Sequence, residues 1–148
     1  MPLWQIFHPT GTYEDPASKL AFSEDITKMY TAVGLPAFYV VVQFIPLPKS
    51  DVLVGGKVMA DKPFVRVVIT QIAIRLPNED ASYNRVTATI DKILGPHVAE
   101  KGYDWEYHVD ETERRLWKIN GMIPPPWKSE EEKLWVEENK AVPYEGAY

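Results

Sequence analysis

Two stretches of this chain repeat one order of patterns, extended then helical then extended, at an offset of roughly 60 residues. In the first, "LWQIFH" is short and apolar, "PTGTYEDP" turns the chain, and Asp15 before Pro16 reads as a helix cap followed by a first-turn proline. Ile26, Met29, Tyr30 and Val33 then recur at helical spacing until Gly34, which predicts a helix over residues 16–33. "FYVVVQFI", β-branched and aromatic, closes the unit before the turn "PLPKS". In the second stretch, after the loop "LVGGK", "FVRVVITQIAIRL" reads as one long strand and "PNEDAS" as a turn with capping residues. Val86, Ile90, Ile93 and Leu94 mark a helical face that Gly95 and Pro96 interrupt, and "YDWEYHV" ends the unit as a strand. Strand-helix-strand crossovers within one sheet are right-handed. The duplicated order therefore predicts an α+β, two-layer fold: a four-stranded sheet with two helices on one face. The first unit covers residues 1–45 and the second 62–110, within a single domain spanning 1–148.

Residues 111–148 form a C-terminal extension. Its prolines 124–126 act as a brake, and Ser129 with Glu132 three residues on is a helix start with Glu130 to Glu132 in the positive first turn. Leu134, Trp135 and Val136 give this charged segment an apolar edge, which predicts that it packs on the sheet or on a neighbouring subunit. A sheet whose second face lacks helices leaves apolar surface to cover, and oligomerisation is the usual answer.

The composition excludes several classes of function. With 148 residues, 45% hydrophobic, the chain is long enough for one real core. A net charge of -5 argues against a nucleic-acid partner, which calls for clustered Lys and Arg. The chain has no cysteine, so disulfides, thiol nucleophiles and zinc-thiolate sites are excluded. Its longest apolar run, "AFYVVVQFIPL", is too short for a membrane span and too far from the N-terminus for a signal peptide. His8, His97 and His108 sit on different elements without ligand spacing, so no metal site is expected. A cytoplasmic location is the expectation.

Pro2 is the residue with the most chemistry. A small second residue permits removal of Met1, which would leave a free secondary amine. Free α-amino groups titrate near about 7.7 in folded proteins, and apolar or cationic surroundings lower that value. Such an amine serves as a general base or acid close to neutrality.

Pro2 opening a strand, "ITKMYTAVGLPAFYV", the "GG" loop, "FVRVVITQIAIR", "DWEYH" and "RRLWKINGMIPPP" together resemble the tautomerase superfamily, and within it the cis-3-chloroacrylic acid dehalogenase-like group with fungal members. The resemblance runs over nearly the whole chain. It implies a homotrimer that uses an amino-terminal proline, with no metal and no organic cofactor, on a small carboxylate substrate. Pro2 matches the catalytic proline, and Tyr107 falls where the dehalogenase has a tyrosine that positions or activates water. Arg75 lies where relatives place carboxylate-binding arginines, in a register that leaves Gln71 and Ile74 as substitutions at positions expected to be polar or cationic. Tyr30 stands for a histidine, and Lys118 for the glutamate that activates water.

A lysine with a pKa near about 10.4 does not accept a proton from water at neutrality, which weighs against hydrolytic dehalogenation. Lys118 with Arg75 would instead hold a carboxylate. The favoured expectation is proton transfer on a 2-keto acid or its enol, with neutral Pro2 as base, Arg75 on the carboxylate and Tyr107 on the developing oxyanion. Gln71 and Tyr30 complete the expected substrate-binding set. Two alternatives stand beside it. One is a hydratase or dehalogenase acting through protonated Pro2; the other is a trimeric interaction protein whose site has degenerated, which a filled pocket and an exposed apolar patch elsewhere would favour.

Overall fold

The computed structural model describes residues 2–59 and 61–148, so the expectation about Met1 lies outside the described residues. Strand β1 (Leu3–Pro9) leads into helix α1 (Pro16–Thr31) and strand β2 (Val41–Leu47). A short ribbon, β3 (Leu53–Val54) and β4 (Lys57–Val58), follows. Strand β5 (Phe64–Gln71), helix α2 (Asp80–His97) and strand β6 (Asp104–Glu111) form the second unit, and helix α3 (Glu130–Glu138) lies in the extension. The sheet order is β2-β1-β5-β6. Each unit contributes a parallel pair, β1 with β2 and β5 with β6, and the units meet antiparallel along β1 and β5.

Alternation decides which face carries the core. Trp4 and Ile6 are fully buried opposite Ile69 and Val67, and α1 buries Phe22, Ile26 and Tyr30 on this side. Helix α2 adds Ile90, Ile93 and Leu94 to the same core. The other face presents the intervening residues, Leu3, Phe7, Val41, Ile45 and Phe64 among them, all only partly buried. The predicted two-layer α+β arrangement with two helices on one face is the one observed. No helix of the described residues is long and apolar enough to cross a membrane.

The boundaries differ from the sequence reading at several points. Strand β2 begins later, because Ala37–Tyr39 make a 3-10 turn, and runs on through Pro46 to Leu47. An edge strand accommodates a proline, which has no N–H to donate. Strand β5 stops at Gln71 instead of running through "IAIRL", because pairing with β1 ends at Thr70 and with β6 at Gln71. The freed backbone beyond is held by side chains: Glu111 Oε2 accepts from the Leu76 N–H at 2.8 Å and the Arg114 guanidinium donates to the Ala73 carbonyl at 2.9 Å. Helix α2 passes through Gly95 and Pro96 and ends at His97, so a proline in the last turn removes one bond without stopping the helix.

The expected cap of α3 is present in a shifted form. Ser129 Oγ accepts from the Glu132 N–H at 3.1 Å, while Glu132 Oε2 reaches one residue further back, to the Lys128 N–H at 2.6 Å. Of the predicted apolar edge only Trp135 is buried; Leu134 and Val136, a helical step of about 100° to either side, remain exposed. The Trp135 indole donates to the Val142 carbonyl at 2.7 Å and packs against Phe38, Tyr39 and Tyr144. Asn139, in the left-handed region at φ +47°, closes the helix, and its side-chain oxygen accepts from the Phe38 N–H at 2.9 Å. The extension is thereby fixed over the end of the sheet where β1 begins.

Candidate active site

The sheet end at which the chain starts opens into a cavity of about 440 Å³. Pro2 is buried there, and its carbonyl accepts from the Val41 N–H at 2.9 Å, which anchors it to β2. Met29 and Tyr30 on α1, which ends at Thr31 and not at residue 33, form one wall together with Val33 in the turn beyond; Ser82, Arg85, Val86 and Thr89 form the other on α2. Residues 71–74, where β5 leaves the sheet, supply the floor. Trp127 also lines the cavity, its indole N–H 3.4 Å from the Val33 carbonyl and Lys128 Nζ 4.2 Å from its ring centroid.

The hydrogen bonding around Tyr30 gives this cavity its polarity. Trp4 Nε1 donates to the Tyr30 hydroxyl at 2.9 Å, and Gln71 Nε2 donates to it at 3.4 Å. The oxygen therefore acts as acceptor twice, and its own hydrogen has no acceptor among the described residues. Burial pushes the Tyr30 pKa up to about 12, against the opposing pull of those two bonds. Tyr30 is thus a neutral donor at physiological pH. On the α2 side, Ser82 Oγ donates to Glu79 Oε1 at 2.8 Å, and Arg85 Nη2 reaches Ser82 Oγ at 3.4 Å. Among the described residues no group of three histidine and acidic side chains is arranged to hold a metal ion.

Of the residues singled out from the sequence, Pro2, Tyr30 and Gln71 share this cavity. Arg75, Tyr107 and Lys118 do not line it. Arg75, off the strand once β5 stops at Gln71, is exposed in a separate cleft with Glu111, Glu113 and Arg114. Tyr107 faces α2 from β6, where its hydroxyl donates to Asp91 Oδ1 at 3.2 Å and lies 3.4 Å from the Thr87 carbonyl. Burial raises its pKa to about 12, and the Asp91 carboxylate adds to the shift. Lys118 is exposed beside buried Trp117. Sequence reasoning missed Arg85, Ser82, Glu79 and Trp127. The spacing of 82, 85, 86 and 89 was the available signal, because it flanks the helical face that Val86 and Ile90 define.

A family profile described as "Putative oxalocrotonate tautomerase enzyme" matches residues 1–140. The chain belongs to this family. RhCC from Rhodococcus jostii RHA1 is 40% identical and superposes with a TM-score of 0.90, over 96% of this chain and 99% of that one. A structure from the thermophilic fungus Aspergillus fumigatus, described as "a probable enzyme", is 42% identical with a TM-score of 0.88, over 97% and 98% of the two chains. Native fused 4-OT, 19% identical, shares the fold with a TM-score of 0.63 over 82% of this chain and 94% of its own. No curated protein matches the chain. The duplicated β-α-β plan read from the sequence is therefore a tautomerase fold, and Pro2 of this family member lies buried at its cavity.

Proposed function

We propose that this tautomerase-family chain is an enzyme that moves a proton on a 2-keto acid or an unsaturated carboxylic acid, with the free amine of Pro2 as carrier. The observation that supports it is the burial of Pro2 against a cavity that also holds the Tyr30 hydroxyl and the Gln71 amide. Removal of Met1 frees the secondary amine. The surrounding apolar side chains disfavour its ammonium form, leaving a base that takes a proton from the enol oxygen or from the carbon beside the carbonyl. The proton is then returned to the other position. The spare hydrogen of Tyr30 meets the negative charge that develops on oxygen. Arg75, Tyr107 and Lys118, outside this cavity, have no part in the scheme within one protomer.

A homotrimer of the cis-3-chloroacrylic acid dehalogenase-like group, cytoplasmic, fits the uncovered sheet face, where Leu3, Phe7, Val41, Ile45 and Phe64 await a partner. A fused 4-OT with 18% identity is described as a symmetric trimer. A second reading, addition of water to an unsaturated or halogenated acid, has one observation in its favour: Glu79 brings a carboxylate to the same cavity. It requires Pro2 to be protonated. A reading as a pure interaction protein is disfavoured by the open cavity beside Pro2.

The test follows enol-to-ketone conversion of a 2-keto acid in the ultraviolet. Pro2→Leu, whose bulky second residue keeps Met1 in place and turns the nitrogen at position 2 into an amide, should lower kcat/KM by about 10²- to 10⁴-fold, the range a positioned acid or base contributes. A variant as active as the natural chain would refute the role of Pro2, and water addition without ketonisation would transfer support to the second reading.

A further inference from the structure

Among the described residues that line the cavity beside Pro2 there is one cation, Arg85, and it comes from α2 and not from the strand where the sequence resemblance looks for one. Arg85 has no carboxylate partner in any ion pair found among the described residues. Its one polar contact there is Ser82 Oγ at 3.4 Å, and the Ser82 hydrogen is already given to Glu79 Oε1 at 2.8 Å. The guanidinium therefore keeps its donors for a ligand at the rim of the chamber. Glu79 is the single carboxylate among the described residues of the lining and opposes a second negative charge nearby. The rim thus suits one carboxylate and disfavours a dianion.

Below the rim the chamber is built for apolar substance. Leu35, Ile72, Ile74, Val86 and Trp127 line it, and its volume of about 440 Å³ equals that of about fifteen waters in the liquid. A three-carbon acid would leave most of that space to water. Each methylene buried against such a lining tightens binding about fourfold.

The geometry points to Arg85 as the group that anchors the substrate carboxylate, and to monocarboxylates with an aryl or branched alkyl body as the class this cavity selects. This rests on the reading of the cavity as the active site and assigns what it holds. The carboxylate sits at the rim in a fork of guanidinium N–H donors, the apolar body fills the space between α1, α2 and Trp127, and the reacting carbon is in the chamber that Pro2 lines.

Binding, measured by calorimetry and independent of turnover, tests it. The probes are 3-phenylpropanoate, its neutral amide 3-phenylpropanamide, and the small acid acrylate. The full chain should bind 3-phenylpropanoate at least about tenfold more tightly than acrylate. Arg85→Ala, an exposed helix position where alanine is well tolerated, should weaken the acid about tenfold or more and the amide less than twofold. Arg85→Lys should recover part of the loss, and Glu79→Gln should tighten the acid. Equal affinity of Arg85→Ala and the natural chain for 3-phenylpropanoate, or equal losses for acid and amide, would overturn the anchor. Acrylate binding as tightly as 3-phenylpropanoate, or no binding of the latter, would overturn the class. Normal binding in a protein that turns over no keto acid would refute only the catalytic reading, and the two failures are thereby separate.

Discussion

Replacing Tyr30 by phenylalanine removes one oxygen from the centre of the site, and the structure gives the size of the effect. That oxygen is the acceptor for the indole N–H of Trp4, a residue with no exposure to solvent, at 2.9 Å. Without it the Trp4 donor is buried and unpaired, which costs about 1–3 kcal/mol. The Gln71 amide loses a longer contact of 3.4 Å and faces the cavity, where water can replace it, so its share is smaller. For a chain of this length a loss of about 1–3 kcal/mol lowers Tm by roughly 3–9 °C. Thermal unfolding of the natural chain, Tyr30→Phe, Trp4→Phe and the double variant forms a complete cycle. The single variants should lose stability, and the double variant should lose less than their sum by about 1 kcal/mol, because removing the donor cancels the cost of an orphaned one. Activity should fall independently, by roughly 10²-fold in kcat, if the spare Tyr30 hydrogen meets developing charge. An unchanged Tm in Tyr30→Phe, or strict additivity in the cycle, would refute this account of the Trp4, Tyr30 and Gln71 arrangement.

Two further perturbations test buried polar groups away from the cavity. Thr12 Oγ1 donates to the Pro9 carbonyl at 2.6 Å, so His8 Nδ1, 2.9 Å from Thr12 Oγ1, must be the donor, and His8 Nε2 is left buried without a partner among the described residues. Burial holds the His8 pKa below its ordinary 6.5, with Lys19 adding to the shift. The unfolded chain then takes up the proton first, so stability falls as pH drops below about 6.5. Urea midpoints from about pH 7 to about pH 5 should decline in the natural chain and flatten in His8→Gln; equal slopes would contradict the assignment. Glu132 is almost fully buried, with Oε1 unpaired among the described residues and burial raising its pKa. Its ionisation therefore costs stability as pH rises through the folded-state value. Glu132→Gln keeps an oxygen for the Lys128 N–H and should raise stability at neutral pH by about 1 kcal/mol, a gain that shrinks toward acid pH; destabilisation at neutral pH would show that attraction to Arg114 outweighs burial.

The parts of the fold that were legible in the sequence are those set by periodicity. Alternation along β1 and β5 and the helical spacing of Ile26 and Tyr30 identify the core face directly, because each buried position answers to a neighbour on its own element. Strand ends were not legible. Ile72 to Leu76 continue the composition of β5, yet the strand stops because its partners do, and pairing partners are a property of the whole sheet. The same reason separates the candidate residues. Pro2, Tyr30 and Gln71 converge because they lie at matching ends of β1, α1 and β5, which the duplicated order brings together. Arg75, expected on the carboxylate from the family resemblance, lies past the end of β5 and is exposed in the cleft with Glu113 and Arg114. Arg85 was overlooked because a charged residue flanking an apolar helical face is normally solvated, and only the gap between α1 and α2 turns that flank into a wall.

The proposed proton transfer needs Pro2 to act through a free, neutral amine. Intact mass of the natively produced protein, followed by NMR titration of the Pro2 nitrogen on the same sample, tests it directly. Loss of Met1 and an amine pKa below about 7.7, lowered by the apolar chamber, is the expected result. Retained Met1, which would leave Pro2 as a tertiary amide, or an amine titrating well above that value would contradict it.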